Sequence, residues 1–239
     1  MLIYRNLPPI QALTFDLDDT LYDNRPVIRH VEQQVAAWLH REHPITATQP
    51  MAWWKALKLR IAQDNPWLPH DVTLWRYEQI RQGLLALGYA PHQAEQAAND
   101  TIDQMTQLRS CVDVPEETHR VMSYLATKVP LVAITNGNVD VEKIGLSRYF
   151  QRVFKAGPDG HAKPYPDMFD KARAFLALPA QAILHVGDHP VTDVQGAKQC
   201  GFQACWYNDQ GLTLRATPQM KLLPDVEIQT LSQLNQLIL

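Results

Sequence analysis

The apolar run from Ile10 to Leu17, with Ala12, Leu13, Thr14 and Phe15 at its centre, gives way to the polar residues Asp18-Asp19-Thr20. A short apolar run that stops on polar residues reads as a strand buried on both faces. Asp16 and Asp18 then fall at its carboxyl end, the side on which open α/β sheets bind ligands. Carboxylates so close in sequence repel unless a cation or a proton lies between them, so the stretch points to a metal. Taken alone, it is equally an acidic turn after a strand.

Two more runs end in the same manner. Leu131-Val132-Ala133-Ile134 closes on Thr135-Asn136-Gly137, and Ala182-Ile183-Leu184-His185-Val186 closes on Gly187-Asp188, with Asp193 beyond. Lys163 lies between them, next to Pro164 and ahead of a helical pattern from Met168 to Leu178. Three strands thus end in polar groups suited to a phosphate and its metal.

From Pro26 to about Ser110 the periodicity is helical. Val27, Val31, Val35, Trp38 and Leu39 recur at three- and four-residue steps, as do Trp75, Ile80, Leu84, Leu85 and Leu87. Pro26 suits a first helical turn, and Gly88 suits a helix end before Pro91 opens the next segment. Beyond this block, helical Glu116–Lys128 is followed by strand patterns at 131–134, 152–156, 183–186 and 202–206. Such alternation implies an α/β fold, a doubly wound parallel sheet with right-handed crossovers, carrying a helical insertion.

At 239 residues, 46% hydrophobic and 20% charged, the chain can bury a core and still hold an insertion. A net charge of −3 without a Lys/Arg cluster argues against a nucleic-acid partner. No segment approaches the ~20 apolar residues of a membrane helix, and Met1–Asn6 lacks the apolar stretch of a signal peptide. The expectation is a soluble, cytoplasmic protein. Cys111, Cys200 and Cys205, an odd number without metal spacing, read as buried thiols of a reducing compartment. Nothing in the sequence fixes an oligomeric state.

The order Asp16/Asp18/Thr20 as DxDxT, Thr135 at a strand end, Lys163, then Asp188/Asp193 as GDxxxxD resembles the haloacid dehalogenase superfamily of phosphohydrolases. The resemblance spans nearly the whole chain. It implies a Rossmann-like catalytic core from residues 1–22 and 112–239, with an all-helical cap at 23–111. The hinges would be Tyr22–Arg25 and Cys111–Val114. It also implies Mg²⁺ held by Asp16, Asp188 and the main-chain oxygen of Asp18. Asp16 would be the nucleophile that takes up phosphate, and Asp18 the acid and then the base. Thr135, with Asn136 and Gly137 after it, would hold phosphate oxygens. Lys163 would offset the charge of Asp16 and the phosphoryl group, and Asp193 would orient Lys163 or a metal-bound water.

Each residue has a plainer reading. Thr135 can be a strand-end threonine, Lys163 an exposed lysine before a proline, and Asp193 a helix cap. His185 and His189 flank Asp188 and raise zinc as a rival, although strand and turn positions do not obviously converge. Five of six tryptophans, Trp38, Trp53, Trp54, Trp67 and Trp75, fall in the helical block and read mainly as packing, with one or two available to stack on a flat ring.

The stretches 12–26, 133–138 and 156–160 are similar to a gammaproteobacterial branch of the superfamily. That branch dephosphorylates flavin mononucleotide and 5-amino-6-(5-phospho-D-ribitylamino)uracil, so the implied substrate is a small-molecule phosphate ester of riboflavin metabolism. The alternatives are a broad-specificity phosphatase, a phosphomutase, a haloacid dehalogenase and a non-catalytic binding module. A dehalogenase needs no acid at the second position, so Asp18 argues against it.

Overall fold

The computed structural model describes residues 1–213, 217 and 221–238. They form two compact units, one from residues 1–23, 113–137 and 141–239, the other from 24–112 together with 138–140.

The first unit is built on a seven-stranded sheet among the described residues, ordered β1-β7-β6-β5-β2-β3-β4. Its strands are β1 (Leu2–Ile3), β2 (Ala12–Phe15), β3 (Leu131–Thr135), β4 (Arg152–Lys155), β5 (Ile183–Gly187), β6 (Gln203–Tyr207) and β7 (Val226–Ile228). All neighbours are parallel except β1, which runs antiparallel to β7. β2 is buried at every position and lies between β3 and β5, with Phe15 opposite Ala133 on one side and Val186 on the other. This register aligns the carboxyl ends of the three strands that the sequence ends in polar groups. The chain leaves β2 toward β3 and later returns on its other side to β5, making a switch point of the kind where doubly wound sheets bind ligands.

Helix α5 (Glu116–Ala126) buries Thr118, Val121, Met122 and Leu125, the i, i+3, i+4, i+7 stripe of a surface helix. Glu116 and Glu117 sit in its first turn, where negative charge favours the helix dipole. Helix α6 (Asp167–Leu176) buries Met168, Phe169 and Ala172 into a cluster with Val132, Ile134, Ile183, Phe202 and Trp206. Each fully buried large apolar side chain contributes roughly 1.5–3 kcal/mol.

Two strands escape the sequence pattern. β1 is two residues long and exposed, and β7 is three residues centred on Glu227. Neither offers a run long enough to declare itself. The cysteine expectation holds for only part of the set: Cys205 is buried and Cys200 half-buried, but Cys111 is exposed.

The second unit consists of α1 (Arg25–Glu42), α2 (Met51–Asp64), α3 (Val72–Ala86) and α4 (Pro91–Arg109). Pro26 does lie in the first turn of α1, and Gly88, with φ of +95°, follows the end of α3. Its core gathers Leu39, Trp54, Leu57, Ile61, Ile80, Leu84 and the small face Ala94, Ala97 and Ala98. Trp38, Trp53 and Trp75 pack against it half-buried, whereas Trp67 is exposed. Among the described residues no helix is long and apolar enough to cross a membrane.

Gly83, within α3, faces Trp54 so closely that a Cβ would overlap the indole ring. Trp54 is buried and its Nε1 donates to the Thr46 carbonyl, so the ring cannot simply swing away. Helix propensity alone would make Gly83→Ala stabilising by ~1 kcal/mol. Overlap in a packed core costs about 1–3 kcal/mol, so the expected outcome is a lowered melting temperature. A variant melting above the wild type would contradict this packing.

Candidate active site

Leu17 and Leu21 are fully buried beyond β2 and anchor a tight turn in which the Leu21 amide donates to the Leu17 carbonyl at 2.9 Å. Asp19 takes φ of +58°, a left-handed conformation that aspartate tolerates better than most residues. The turn carries Thr20 back to β5. Its hydroxyl accepts from the Asp188 amide at 3.1 Å and lies 3.3 Å from Asp188 Oδ1.

Lys163 occupies the centre of the site. It is only 3% exposed, so the reading of an exposed lysine before a proline fails. Its Nζ donates to Asp16 Oδ1 at 2.7 Å and to Asp193 Oδ1 at 2.6 Å. Its backbone is fixed by Asn136, whose Oδ1 accepts from the Lys163 amide at 2.7 Å while Nδ2 donates to the Lys163 carbonyl at 3.0 Å. Asn136 therefore locks the lysine loop to the end of β3. Thr135 is fully buried, and its hydroxyl accepts from the Gly137 amide at 2.9 Å. Gly137 has no room for a side chain, since a Cβ would overlap the Asp18 carboxylate. Asp18 Oδ1 in turn accepts from the Tyr22 hydroxyl at 2.5 Å.

Asp193 lies in the π-helical turn Pro190–Gln195, just before the short helix α7 (Gly196–Gln199). Its Oδ1 accepts from Lys163 and from His185 Nε2 at 3.3 Å, and its Oδ2 accepts from the His189 amide at 2.9 Å. Asp193 is thus not the helix cap of the plainer reading. That part is played by His189, whose Nδ1 accepts from the amides of Val191 and Thr192.

The carboxylates of Asp16, Asp188 and Asp193 offer oxygens that lie within 4.8 Å of one another. Burial and the neighbouring carboxylates of Asp193 and Asp18 raise Asp16 well above the usual carboxylate range, with Lys163 opposing. Burial, with Asp193 and Asp19, pushes Asp188 up to about 7. Burial would raise Asp193 too, but Lys163 and His185 hold it below the ordinary value. Burial disfavours the Lys163 ammonium, yet Asp16 and Asp193 lift it above the usual lysine value. One lysine therefore neutralises one carboxylate of three, and Asp16 and Asp188 remain short of positive charge. An oxygen-only donor set with surplus negative charge fits a hard divalent cation. Among the described residues neither His185 nor His189 joins this group, which removes the observation that favoured zinc.

The match to known proteins is decisive for the family. A haloacid dehalogenase-like hydrolase family model covers residues 10–201. The chain belongs to the haloacid dehalogenase-like hydrolases. It is 43% identical, over the full length of both chains, to the 5-amino-6-(5-phospho-D-ribitylamino)uracil phosphatase YigB of Escherichia coli K12. It is 28% identical to a phosphoserine phosphatase of Thermus thermophilus, over 85% of this chain and 90% of the relative. Among solved structures, one described as a 2-haloacid dehalogenase from Pseudomonas syringae pv. Tomato DC3000 superposes with a TM-score of 0.90. It is 35% identical, over 95% of this chain and 97% of that one.

Sequence reasoning named the carboxylates and Lys163 but read Tyr22 only as a hinge residue and gave no role at the site to Thr14 or Trp206. Trp206 Nε1 donates to the Asp188 carbonyl at 2.8 Å and so fixes that loop from β6. Their contacts join residues 4 to 171 positions apart, and only the Tyr22–Asp18 spacing was open to a local reading.

The raised carboxyls give a pH signature for chelated protein. A folded value of about 7 for Asp188, above its ordinary 3.8, means that the protonated form favours folding. That contribution is complete below about pH 4 and is lost as pH rises through about 7. Asp188→Asn lacks the loss, so in EDTA its melting temperature should gain on the wild type between about pH 5 and pH 8. A constant difference across that range would contradict the assignment.

Proposed function

We propose that this protein is a phosphomonoester hydrolase working through an aspartyl-phosphate on Asp16. Its substrate is proposed to be 5-amino-6-(5-phospho-D-ribitylamino)uracil, with flavin mononucleotide as a second ester. The observation that carries the substrate is the 43% identity over the full length of the Escherichia coli phosphatase of that intermediate. The reaction class is supported by the Asp18 carboxylate, which stands in the same loop as Asp16 and is buttressed by Tyr22 and Gly137.

Asp16 attacks phosphorus through its carboxylate while Lys163, on Oδ1, offsets the charge that would repel a dianionic ester. The ester P–O bond breaks as Asp18 gives its proton to the leaving alcohol. Asp18 then takes a proton from the water that attacks the acyl phosphate, which releases inorganic phosphate and restores the Asp16 carboxylate. The Thr135 hydroxyl, which accepts from the Gly137 amide, keeps its own proton for a phosphate oxygen, and the Asn136 amide supplies a second donor at the end of β3. Mg²⁺, held by Asp16, Asp188 and the Asp18 main-chain oxygen, would supply the positive charge that keeps both carboxyls ionised. Asp193, engaged on both oxygens, orients Lys163.

The dehalogenase reading draws on the superposed 2-haloacid dehalogenase structure, but fold alone does not fix chemistry. A halide needs no proton to leave, so it gives Asp18 nothing to do. Phosphate release with and without Mg²⁺ tests the proposal against p-nitrophenyl phosphate, sugar phosphates and flavin mononucleotide, with halide release from a 2-haloacid measured alongside. Magnesium-dependent release that favours the ribityl esters is expected. Equal kcat/KM on every ester would remove the substrate assignment, and halide release without phosphate release would overturn the class. Asp16→Asn should abolish turnover with the fold intact, and Asp18→Asn should slow it by roughly 10²–10⁴-fold. An undiminished Asp18→Asn rate would remove the acid–base role.

A further inference from the structure

Behind Lys163 the site continues into a polar chain that the proposed reaction does not use. Thr14 on β2 pairs in register with His185 on β5, so both side chains emerge on the same face of neighbouring strands. Thr14 Oγ1 and His185 Nδ1 are 2.8 Å apart, and His185 Nε2 is 3.3 Å from Asp193 Oδ1. Thr14 is fully buried, and His185 and Asp193 are each 1% exposed. Phe169 meets the imidazole edge to face, with ring centres 5.1 Å apart. A polar pair buried in the middle of a sheet is costly unless each atom is satisfied, and an apolar pair of the same shape would serve the core better.

The donors and acceptors allow one arrangement. The Asp193 carboxylate, held ionised by Lys163, can only accept, so the imidazole must carry its hydrogen on Nε2. Burial lowers the imidazole pKa and keeps the ring neutral, leaving Nδ1 a bare acceptor for the Thr14 hydroxyl. Asp193 is then gripped on every side. Lys163 and His185 donate to Oδ1, the His189 amide donates to Oδ2, and Gly187 lies so close that a Cβ would strike the carboxyl group.

We propose that Thr14 and His185 are positioning residues that fix Asp193, and through it set how the Lys163 ammonium is shared between Asp193 and the nucleophile Asp16. The inference rests on the assignment of Asp16 as nucleophile. Loss of the imidazole donor frees Asp193 to rotate, and Lys163 follows the more strongly attracting carboxylate. Asp16 then faces the ester with its charge less well offset. Neither residue reaches the ester, so the effect falls on kcat and leaves KM unchanged.

The test pairs kinetics with the histidine tautomer. Thr14→Val keeps the shape and removes the hydroxyl, and Thr14→Ser restores it. His185→Gln retains a donor near Nε2, and His185→Leu retains none. With p-nitrophenyl phosphate and Mg²⁺, Thr14→Val and His185→Leu should lower kcat roughly tenfold to a hundredfold at unchanged KM. Thr14→Ser and His185→Gln should recover most of the loss. Long-range ¹H–¹⁵N correlation spectra of histidine-labelled protein, with His185 identified from its absence in His185→Gln, should show the Nε2–H tautomer, lost as a single state in Thr14→Val. An Nδ1–H tautomer overturns the proposal, as does an unaltered kcat in folded Thr14→Val. If Thr14→Val does not fold, His185→Leu against His185→Gln decides the kinetic arm: equal rates overturn the proposal. If the wild type hydrolyses no ester, the phosphatase reading has failed on its own, and the tautomer still decides for or against the positioning chain.

Discussion

The buried Lys163 ammonium is the contact on which the rest of the site depends. It reaches Asp16 at the end of β2 and Asp193 in the turn after β5, and its own backbone is clamped by Asn136 at the end of β3. One residue, through its side chain and its backbone, thereby ties together the three central strands at their carboxyl ends. The ammonium of a lysine that is only 3% exposed loses several kcal/mol of hydration, and removal of one partner from such a group typically costs about 3–5 kcal/mol. The two carboxylates keep it charged, and its charge in turn allows Asp193 to stay ionised.

That arrangement is incomplete in electrostatic terms. Asp16 and Asp188 remain raised because one lysine cannot compensate three carboxylates in a cleft of low dielectric. The missing positive charge, the oxygen-only donors and the neighbouring Asp18 carboxylate are what a phosphoryl-transfer site requires. A solved relative described as a 2-haloacid dehalogenase shares the fold at a TM-score of 0.90, which shows how little the sheet constrains the leaving group.

Much of this was legible in the chain. Buried parallel strands read as continuous apolar runs, and β2, β3 and β5 are buried at every position. The helical block declared itself through Pro26, Gly88 and the three- and four-residue spacing of its leucines and valines. β1 and β7 did not, being too short to give a period. Asp16, Lys163 and Asp188, which the structure brings together, could be picked out with Asp18 because motif spacing survives in the sequence. The partners of those residues could not. Thr14–His185 joins positions 171 apart, and only strand register brings them face to face. His189, which with His185 raised zinc only as a rival, caps the turn that carries Asp193, a role set by local backbone geometry.

The central claim is that Asp16 is phosphorylated during turnover. Acid-quenched protein, mixed with flavin mononucleotide and Mg²⁺ and analysed by peptide mass spectrometry, tests it directly. A phosphoryl group on the peptide carrying Asp16, enriched in Asp18→Asn because hydrolysis of the intermediate is slowed, is the result expected. Hydrolysis of the ester with no phosphoryl group on that peptide at any quench time would contradict the account.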